Sequence, residues 1–351
     1  MLIGGRDITQ GPPLIVAELG VNHDGLRETA LAMVRAAAEC GVDAVKVQAF
    51  RADNFCAPDA QWNGESQAAM FRRYEMSRAD LSAVAQECRR LGLLFIGTPD
   101  SLEQGLILRD YGAAALKVGS DDIVHLPLIR ALAGLGLPMI LSTGMATERE
   151  IDEAFRACHD RNVIALHCVS LYPTPPERAN LLRMEQVNLL RMVHAGFMSG
   201  YSDHTDGIDA CLAAVAMGAR LIEKHFTLDR SLAGPDHSFS ADLAQMRELC
   251  SRAKLVYAMM GTGEIDPDAD QLAMRSIARR SIVASRPLPA GTVLAEEHLA
   301  YKRPGLGLLP SQAHYILGRR LMRDVAEDER ILIEITDGLR ALREELAYLA
   351  K

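Results

Sequence analysis

The chain has 351 residues, of which 49% are hydrophobic and 24% are charged. This apolar content is enough for a core of barrel size plus a smaller unit, and it predicts a globular protein. The formal net charge of −8 argues against a broad basic surface that could bind the phosphates of a nucleic acid, so we expect no nucleic acid partner.

The cysteines and the N-terminal sequence indicate the cellular compartment. The seven cysteines are odd in number, scattered, and never in C-x-x-C spacing, which is typical of buried thiols in a reducing compartment. The first residues, MLIGGRDITQGPP, lack a basic end followed by an apolar run. No apolar stretch approaches the ~20 residues of a membrane span. We therefore expect a cytoplasmic protein with no membrane partner.

Short apolar runs with polar tips alternate with longer amphipathic stretches along the chain. Segments such as 26–40 and 78–91 have helical apolar spacing, with Leu26, Ala30 and Met33 on one stripe of the first. Apolar strands separated by helices imply parallel pairing, and this number of units favours a (β/α)₈ TIM barrel over an open doubly wound sheet. The predicted strands are 13–19, 43–50, 93–99, 114–120, 138–144, 162–170, 196–204 and 220–226.

In such a barrel the active site lies at the carboxyl ends of the strands, and here every strand ends in polar groups. A single Ser or Thr at a strand end is better explained by a loop entering solvent, but the full set indicates a site. Lys46 and Lys117 lie just inside apolar strands, where a Lys costs several kcal/mol unless an anion neutralises it. They predict a bound phosphate or carboxylate, with Schiff-base chemistry as the competing use.

His204 and His225 stand at the ends of the seventh and eighth predicted strands, which are neighbours in a closed barrel. Both imidazoles can therefore point into the same mouth and share a metal, although either could be a hydrogen-bonded structural histidine. Nitrogen ligands, with Asp203 and Glu223 nearby and no cysteine, suit Mn²⁺, Fe²⁺, Co²⁺ or Zn²⁺.

Motifs spread over nearly the whole chain resemble the sialic acid synthase family. They are IVAELGVNHDG (15–25), KVQAF (46–50), GTPDS (97–101), LKVGSDD (116–122), LSTGMAT (141–147), LHCVSLYPTPPE (166–177), GYSDHTDG (200–207), EKHFTLDRSLAGPDHSFS (223–240) and KRPGLG (302–307). The resemblance implies a barrel followed by a small antifreeze-like (SAF) domain. It also implies condensation of phosphoenolpyruvate with an N-acylated hexosamine, to give a nine-carbon 2-keto-3-deoxy acid plus phosphate, with a divalent metal that we expect to be Mn²⁺.

The same resemblance implies residue roles. Glu18 and His225 are expected in catalysis, with Glu18 as an acid/base or water-orienting group, and His204 and His225 as metal ligands. Sugar contacts are expected at Asp122, Tyr172, Asp236 and Arg303. Phosphoenolpyruvate contacts are expected at Lys46, Gln48, Thr98, Lys117, Ser120, Ser142, Ser170 and Ser202.

Two departures from the family pattern leave the sugar open. The family commonly reads Gly-Ser-Gly-Glu where this chain has Asp121 and Asp122 after Gly119 and Ser120, and it often has Asn at Ser170. The acceptor could therefore be an N-acetylmannosamine-like sugar or the sugar used by relatives that make legionaminic or pseudaminic acid. A class I aldolase or lyase and a non-catalytic carbohydrate-binding protein are the alternatives from other classes.

Composition changes after about residue 262, which predicts a second unit. We predict a catalytic barrel at 1–262, an exposed linker at 263–280, a β-rich SAF domain at 281–337 and a C-terminal helical tail at 338–351. Arg303 lies in a Pro- and Gly-rich turn of the SAF segment. The resemblance implies a domain-swapped homodimer in which this arginine enters the barrel of the partner.

Overall fold

The computed structural model describes residues 1–62, 64–158, 162–189 and 197–337. It divides into two compact units, Met1–Gly261 and Thr262–Lys351. The predicted helical tail at 338–351 lies outside the described residues. No helix in the described ranges is both long enough and apolar enough to cross a bilayer.

The first unit is a closed barrel of parallel strands, as predicted from the sequence. Each of the eight apolar runs contains one barrel strand, and consecutive strands pair around the ring, with β8 closing onto β1. The strands are β1 (Leu14–Glu18), β2 (Ala44–Ala49), β3 (Leu94–Pro99), β4 (Ala115–Val118), β5 (Met139–Ser142), β6 (Val163–His167), β7 (Met198–Asp203) and β8 (Leu221–His225).

Helices connect the strands and cover the outer face of the barrel. Three of them, α2, α3 and α4, lie in the single connection from β2 to β3. The helices of the first unit are α1 (Arg27–Cys40), α2 (Ala52–Phe55), α3 (Gln67–Tyr74), α4 (Arg78–Arg90), α5 (Leu102–Asp110), α6 (Leu126–Ala133), α7 (Glu148–Ala157), α8 (Arg183–Leu189), α9 (Asp209–Ala216) and α10 (Leu243–Met259).

The two helices predicted by periodicity are present, with one correction. Helix α1 buries Ala30 and Met33 against the barrel and ends at Gly41, whose φ of 85° is a left-handed conformation that glycine adopts readily. Leu26 is not part of the buried stripe, because it precedes the first helical turn and is 60% exposed. Helix α4 begins at a capping box between Ser77 and Asp80, which satisfies two backbone amides that would otherwise lack partners.

Inside the barrel, each strand changes character along its length. Alternate residues of a strand point to the same face, so Leu14, Val16 and Glu18 of β1 share the inner face, as do Leu221 and Glu223 of β8. The amino half is apolar and the carboxyl half is polar. A short N-terminal ribbon, Leu2–Ile3 with Arg6–Asp7, adds Ile3 and Ile8 to the inner apolar cluster. That cluster includes Leu14, Val16, Ala44, Ile96, Ala115, Ile140, Ile164, Leu166 and Leu221.

The second unit is small and rich in β-bridges. Strands β9 (Ser281–Ala284) and β10 (Leu299–Lys302) pair antiparallel, and helix α11 (Ala269–Ala278) precedes them. Helix α11 lies within the interval 263–280, and none of its residues is buried. A separate apolar core holds this unit, formed by Ile282, Ala284, Leu288, Leu294, Leu299, Leu308, Ile316, Leu321, Val325, Ile331 and Ile333.

Candidate active site

The polar halves of the barrel strands open into one cavity of about 690 Å³. This volume lies in the usual range for small-molecule sites. Two predicted site residues do not line the cavity. Glu18 contacts the lining residue Lys46, and Arg303 belongs to the second unit. The predicted site residues that line the cavity are Lys46, Gln48, Thr98, Lys117, Ser120, Asp122, Ser142, Ser170, Tyr172, Ser202, His204, His225 and Asp236.

A buried charge cluster lies at the bottom of the cavity. Glu223 Oε1 lies 3.4 Å from Lys117 Nζ and 3.7 Å from Lys46 Nζ, and it accepts a hydrogen bond from Ser202 Oγ at 3.0 Å. Lys46 Nζ also donates to Thr98 Oγ1 at 3.0 Å and forms an ion pair with Glu18. Four strands therefore contribute to an arrangement of two ammonium groups and two carboxylates.

Sequence reasoning placed Glu223 only near the metal and missed its position between the lysines. The signal was available, because Glu223 and His225 are two residues apart on β8 and therefore share the inner face. Burial alone would raise the pKa of Glu223, but Lys117, Lys46 and Ser202 outweigh it and hold that pKa below its usual value. Burial lowers the pKa of Lys46 to about 7 in spite of Glu223. Lys46 is therefore a group that can change charge near neutral pH.

Glu18 ends β1 beside this cluster. Its Oε1 accepts a hydrogen bond from the backbone amide of Gly20 at 2.5 Å, and its other oxygen faces Lys46. The ion pair with Lys46 was the structural alternative for Glu18, and it is present. Because Glu18 also opposes His225 in the pairing of β1 with β8, its carboxylate lies between the lysine and the histidine pair.

Small hydroxyl groups and one glycine form the wall above β4 to β6. The backbone amide of Gly144 donates to Ser120 Oγ at 3.1 Å. A Cβ at position 144 would lie 2.3 Å from Ser170 Oγ and 2.6 Å from Ser120 Oγ, so a larger residue there would displace these hydroxyl groups. Ser170 Oγ is buried and has no hydrogen-bond partner within the described residues. A hydroxyl without a partner at a cavity wall is suited to an oxygen atom of a bound anion.

The two imidazoles lie together, as predicted. The ring centroids of His204 and His225 are 5.5 Å apart. His204 Nδ1 contacts the carbonyl oxygen of Val169 at 2.8 Å, which makes Nδ1 the protonated nitrogen and leaves Nε2 with a lone pair. Burial lowers the pKa of both histidines, so each ring is neutral at pH 7. Neutral imidazole is the form that binds metals.

A divalent metal fits this pair. His225 Nδ1 is buried without a hydrogen-bond partner and lies 3.6 Å from Asp236 Oδ2. Within the described ranges, no group of three or more His, Cys, Asp or Glu side chains is arranged so that it could hold a metal ion by itself. A metal at His204 and His225 would therefore complete its coordination with water or substrate oxygen, which is the open arrangement of catalytic sites.

Asp203 does not belong to this site, in contrast to the sequence-based expectation. It precedes His204 by one residue and so points to the outer face of β7, where it lies 2.8 Å from Lys224 Nζ. Asp203 and Lys224 are both fully buried between barrel and helices. His167 at the end of β6 also lies outside the cavity lining, and its Nε2 contacts the carbonyl oxygen of Ala179 at 2.9 Å.

Three of the residues expected to contact a sugar, Asp122, Tyr172 and Asp236, line the cavity. Tyr172 is 49% exposed, and its ring packs on His204 with a centroid distance of 4.3 Å. Burial raises the pKa of Asp122 to about 6, with a further contribution from Asp121, and burial also raises the pKa of Asp236 to about 6. Arg303 follows β10 in the second unit and is exposed.

An aromatic surface at the mouth was missed by sequence reasoning. Phe50, Phe55, Met70, Phe71 and Tyr74 line the cavity, and all come from the connection between β2 and β3. The short helices α2 and α3 contribute most of them. Periodicity over so few residues cannot distinguish a cavity wall from an ordinary buried face, so nothing in the local pattern marked this segment.

Comparison with known proteins identifies the family. The model of the NeuB family matches residues 33–265, and the model of the SAF domain matches residues 279–333. The chain is 34% identical to N,N'-diacetyllegionaminic acid synthase of Campylobacter jejuni serotype O:2, over 91% of this chain and 98% of the relative. It is 31% identical to pseudaminic acid synthase of C. jejuni serotype O:23/36, over 92% and 96% of the two chains.

A solved structure extends the comparison to three dimensions. The N-acetylneuraminic acid (sialic acid) synthetase of Leptospira borgpetersenii, solved with citrate, aligns with a TM-score of 0.69 and 32% identity. The alignment covers 75% of this chain and 90% of the other. With a family match over most of the barrel, and relatives above 30% identity along nearly the whole length, the chain belongs to the NeuB family and carries a SAF domain after its barrel.

Proposed function

We propose that this protein condenses phosphoenolpyruvate with an N-acylated hexosamine, producing a nine-carbon 2-keto-3-deoxy acid and phosphate. It would thus be a transferase of nonulosonic acid synthesis. The names of its relatives, synthases of legionaminic, pseudaminic and N-acetylneuraminic acids, support this class of product. The buried thiols are compatible with a cytoplasmic enzyme.

The observation that carries the proposal is the charge cluster below the histidine pair. Phosphoenolpyruvate is a compact anion with a phosphate and a carboxylate, and it needs several cationic and hydroxyl donors close together. Lys46 and Lys117 supply the cations, and Ser120 and Ser170 supply hydroxyl groups at the wall. Because Glu223 already lies against both lysines, a bound anion would share these ammonium groups with an ionised carboxylate.

The reaction balances with one water molecule as the further reactant. C3 of the enol attacks the aldehyde carbon of the open-chain sugar, a C–C bond forms, and the aldehyde oxygen takes up a proton. Water adds at C2, the C2–O bond to phosphate breaks, and the 2-keto group remains. In this proposal Glu18, which lies beside Lys46 and opposite His225, orients that water and accepts its proton.

The histidine pair would hold the metal, which we expect to be Mn²⁺. When bound, the metal supplies a Lewis acid that polarises the aldehyde carbonyl. The chain itself fixes the geometry, because Val169 orients His204 and the barrel register places His225 next to Glu18. The proposed sugar contacts at Tyr172, Asp122 and Asp236 line the same cavity as the two histidines.

The test is phosphate release from phosphoenolpyruvate with a panel of N-acylated hexosamines, with and without chelator. We expect activity to disappear on chelation and return with Mn²⁺, and His204→Ala or His225→Ala to abolish Mn²⁺ binding in calorimetry. His314→Ala, at an exposed position of the second unit, is the matched control and should bind Mn²⁺ normally. Full turnover in a metal-free sample, confirmed by elemental analysis, would refute the metal assignment.

Schiff-base chemistry remains the second candidate, because the lowered pKa of Lys46 favours the uncharged amine that such chemistry needs. Borohydride treatment in the presence of substrate distinguishes the two functions. We expect no covalent adduct at Lys46 by mass spectrometry. A trapped adduct at Lys46, together with turnover that does not require metal, would favour the aldolase or lyase.

A further inference from the structure

The segment that follows β8 folds back onto the end of that strand. The backbone amide of Ala241 donates to the carbonyl oxygen of His225 at 2.8 Å, and the amide of Thr227 donates to the carbonyl oxygen of Ala241 at 3.0 Å. Asp236 lies in the same segment, and its Oδ2 is 3.6 Å from His225 Nδ1. The segment therefore brings one carboxylate to the imidazole that ends β8.

A buried asparagine joins this segment to the loop after β1. Asn22 is 2% exposed, and its Nδ2 donates to the carbonyl oxygen of Phe226 at 3.0 Å and to Ser240 Oγ at 2.9 Å. Ser240 is fully buried, and its Oγ donates in turn to the carbonyl oxygen of Asp236 at 2.6 Å. Two consecutive hydrogen bonds thus connect Asn22 to the backbone of Asp236. We refer to Asn22, Ser240 and Asp236 as the relay.

The direction of each hydrogen bond in the relay is fixed by carbonyl groups. A carbonyl oxygen can only accept, so the side-chain nitrogen of Asn22, and not its side-chain oxygen, faces Phe226. The hydroxyl of Ser240 must likewise donate to Asp236, which leaves its lone pairs to accept from Asn22. An amide suits this position, because its single nitrogen carries two hydrogens for two acceptors.

The loop after β1 also contacts the carboxylate of Asp236. Burial raises the pKa of Asp236, and a hydrogen bond from the backbone of Val21 opposes that rise, so the N–H of Val21 is directed at the carboxylate. A Cβ at Gly20 would lie 2.8 Å from Asp236 Oδ2 and 3.0 Å from His225 Nδ1, so the loop packs closely on both groups. Residues 20–22 therefore hold Asp236 by its backbone and by its side chain.

His225 lacks the hydrogen bond that such a carboxylate can provide. Its Nδ1 is buried without a partner within the described residues, which is a costly state for a polar atom. Asp236 Oδ2, at 3.6 Å, lies just beyond hydrogen-bond distance. His204 shows the completed arrangement, since its Nδ1 contacts the carbonyl oxygen of Val169 at 2.8 Å and its Nε2 is left for a metal. A hydrogen bond to Asp236 would give His225 the same tautomer.

We propose that Asn22 is a positioning residue that holds Asp236 in place to accept a hydrogen bond from His225 Nδ1. Asp236 then acts on a metal through His225, in addition to the sugar contact expected for it. A carboxylate in this position orients the ring and raises the basicity of the other ring nitrogen. The inference rests on the proposed metal site and adds two residues to it, Asn22 and Ser240, which do not line the cavity.

The tautomer of His225 is the first measurement, made on metal-free protein without substrate. Long-range proton–nitrogen NMR spectra of protein labelled at its histidine rings report it, and the spectrum of His225→Gln assigns the signals. We expect the Nδ1–H tautomer in the wild type. Asn22→Leu and Ser240→Ala should each show a fraction of the Nε2–H tautomer, because the carboxylate is then no longer held beside the ring. Ser240→Ala removes a single hydroxyl, so it decides the question if Asn22→Leu does not fold.

Ser281→Ala is the matched control for Ser240→Ala. Both serines are fully buried, and each donates to a backbone carbonyl oxygen at 2.6 Å, with Pro304 of the second unit as the acceptor for Ser281. Each variant therefore loses one buried hydrogen bond of the same kind. The His225 tautomer and the Mn²⁺ affinity should change in Ser240→Ala and stay unchanged in Ser281→Ala.

Titration calorimetry with Mn²⁺ alone is the second measurement. We expect Asp236→Leu to weaken Mn²⁺ binding about 10-fold to 100-fold, the usual effect of losing a hydrogen-bond partner of a metal-binding histidine. Asn22→Leu should also weaken it. Adding Asn22→Leu to Asp236→Leu should change the affinity by less than about 2-fold, because Asn22 acts on the metal only through Asp236.

Three results would overturn the inference. The first is the Nε2–H tautomer of His225 in the wild type. The second is an unchanged tautomer in Asn22→Leu or, where that variant does not fold, in Ser240→Ala. The third is additive losses of Mn²⁺ affinity in the double variant, which would show that Asn22 acts independently of Asp236. If the wild type binds no Mn²⁺, the proposed metal site fails, and the tautomer measurement still decides whether the relay orients His225.

Discussion

At the scale of single residues, the site depends on groups whose charge is set by burial. Lys46 lies between Glu18 and Glu223, yet burial lowers its pKa to about 7. Lys117, Lys46 and Ser202 hold the pKa of Glu223 below its usual value, which favours its ionised form. The positive charge available to an anion at the base of the cavity therefore varies near neutral pH, because Lys46 titrates there.

Phosphoenolpyruvate affinity should fall as pH rises above about 7. Lys46 is an ammonium group below its pKa of about 7 and a neutral amine above it, so binding at higher pH requires uptake of a proton. Calorimetry in two buffers of different ionisation enthalpy measures this uptake directly. In Lys46→Arg the charge no longer titrates in this range, so the pH dependence should flatten. A wild-type affinity that is constant from about pH 7 to pH 9 would show that Lys46 stays charged.

A substitution at Gly20 tests the proposed metal site, because Gly20 lies against that site. A Cβ there would lie 2.8 Å from Asp236 Oδ2 and 3.0 Å from His225 Nδ1. We expect Gly20→Ala to weaken Mn²⁺ binding at least about 10-fold, since a displacement of this size disturbs a ligand geometry. Titration calorimetry with Mn²⁺ alone checks this.

Gly41→Ala is the matched control for Gly20→Ala. Both glycines have positive φ, 51° at Gly20 and 85° at Gly41, so both variants suffer backbone strain. A Cβ at Gly41 has nothing within 4 Å, so Mn²⁺ affinity should be unchanged in that variant. Equal Mn²⁺ affinities in Gly20→Ala and Gly41→Ala would show that the metal does not bind next to His225.

At the scale of elements, β7 and β8 are joined on their outer face by a buried ion pair. Lys224 Nζ contacts Asp203 Oδ2 at 2.8 Å and the carbonyl oxygen of Thr205 at 2.5 Å. Asp203 Oδ1 also accepts hydrogen bonds from Tyr201 and from the backbone of Thr205. Because Asp203 precedes His204 and Lys224 precedes His225, this pair holds the two strand ends that present the imidazoles.

Asp203→Asn should be strongly destabilising. Removing one partner leaves Lys224 as a buried charge without its carboxylate, which costs about 3–5 kcal/mol of unfolding free energy. Urea denaturation measures the loss. Glu153→Gln, which breaks the exposed pair between Arg149 and Glu153 on α7, is the control and should leave the unfolding midpoint unchanged. Similar losses of unfolding free energy in both variants would show that the buried pair stabilises the protein no more than the exposed pair does.

At the scale of the whole molecule, the chain consists of two compact units with separate apolar cores. The barrel alone contains the cavity described above, and Arg303 is exposed on the SAF domain. We propose that Arg303 completes the site in the partner chain of a homodimer. A guanidinium is suited to the acyl carbonyl of an amino sugar, because it offers several donors in one plane.

Two inactive variants should complement each other if Arg303 acts in the partner chain. We expect Lys46→Ala and Arg303→Ala, unfolded and refolded together, to recover about a quarter of wild-type activity, because random pairing gives one intact site in each mixed dimer. Phosphate release measures the recovery, and each variant refolded alone is the control. Mixed dimers without activity would show that Arg303 serves its own barrel or no site.

The sequence by itself determined the architecture. Eight apolar runs with polar tips, separated by amphipathic segments, predicted the closed barrel, and each run contains a barrel strand. Lys46, Lys117, His204 and His225 were also identified as a group, because the carboxyl ends of parallel strands meet at one end of a barrel. Local periodicity carries this information, since burial on both faces and alternation along a strand are properties of consecutive residues.

Only the tertiary structure decided which polar groups face one another. The sequence placed Asp203 and Glu223 equally near the histidines, but strand pleating turns Glu223 inward between two lysines and Asp203 outward onto Lys224. The aromatic surface at the mouth likewise became visible only once the segment after β2 was placed there. Such facts depend on contacts between residues distant in sequence, such as Lys117 with Glu223, and no local pattern contains them.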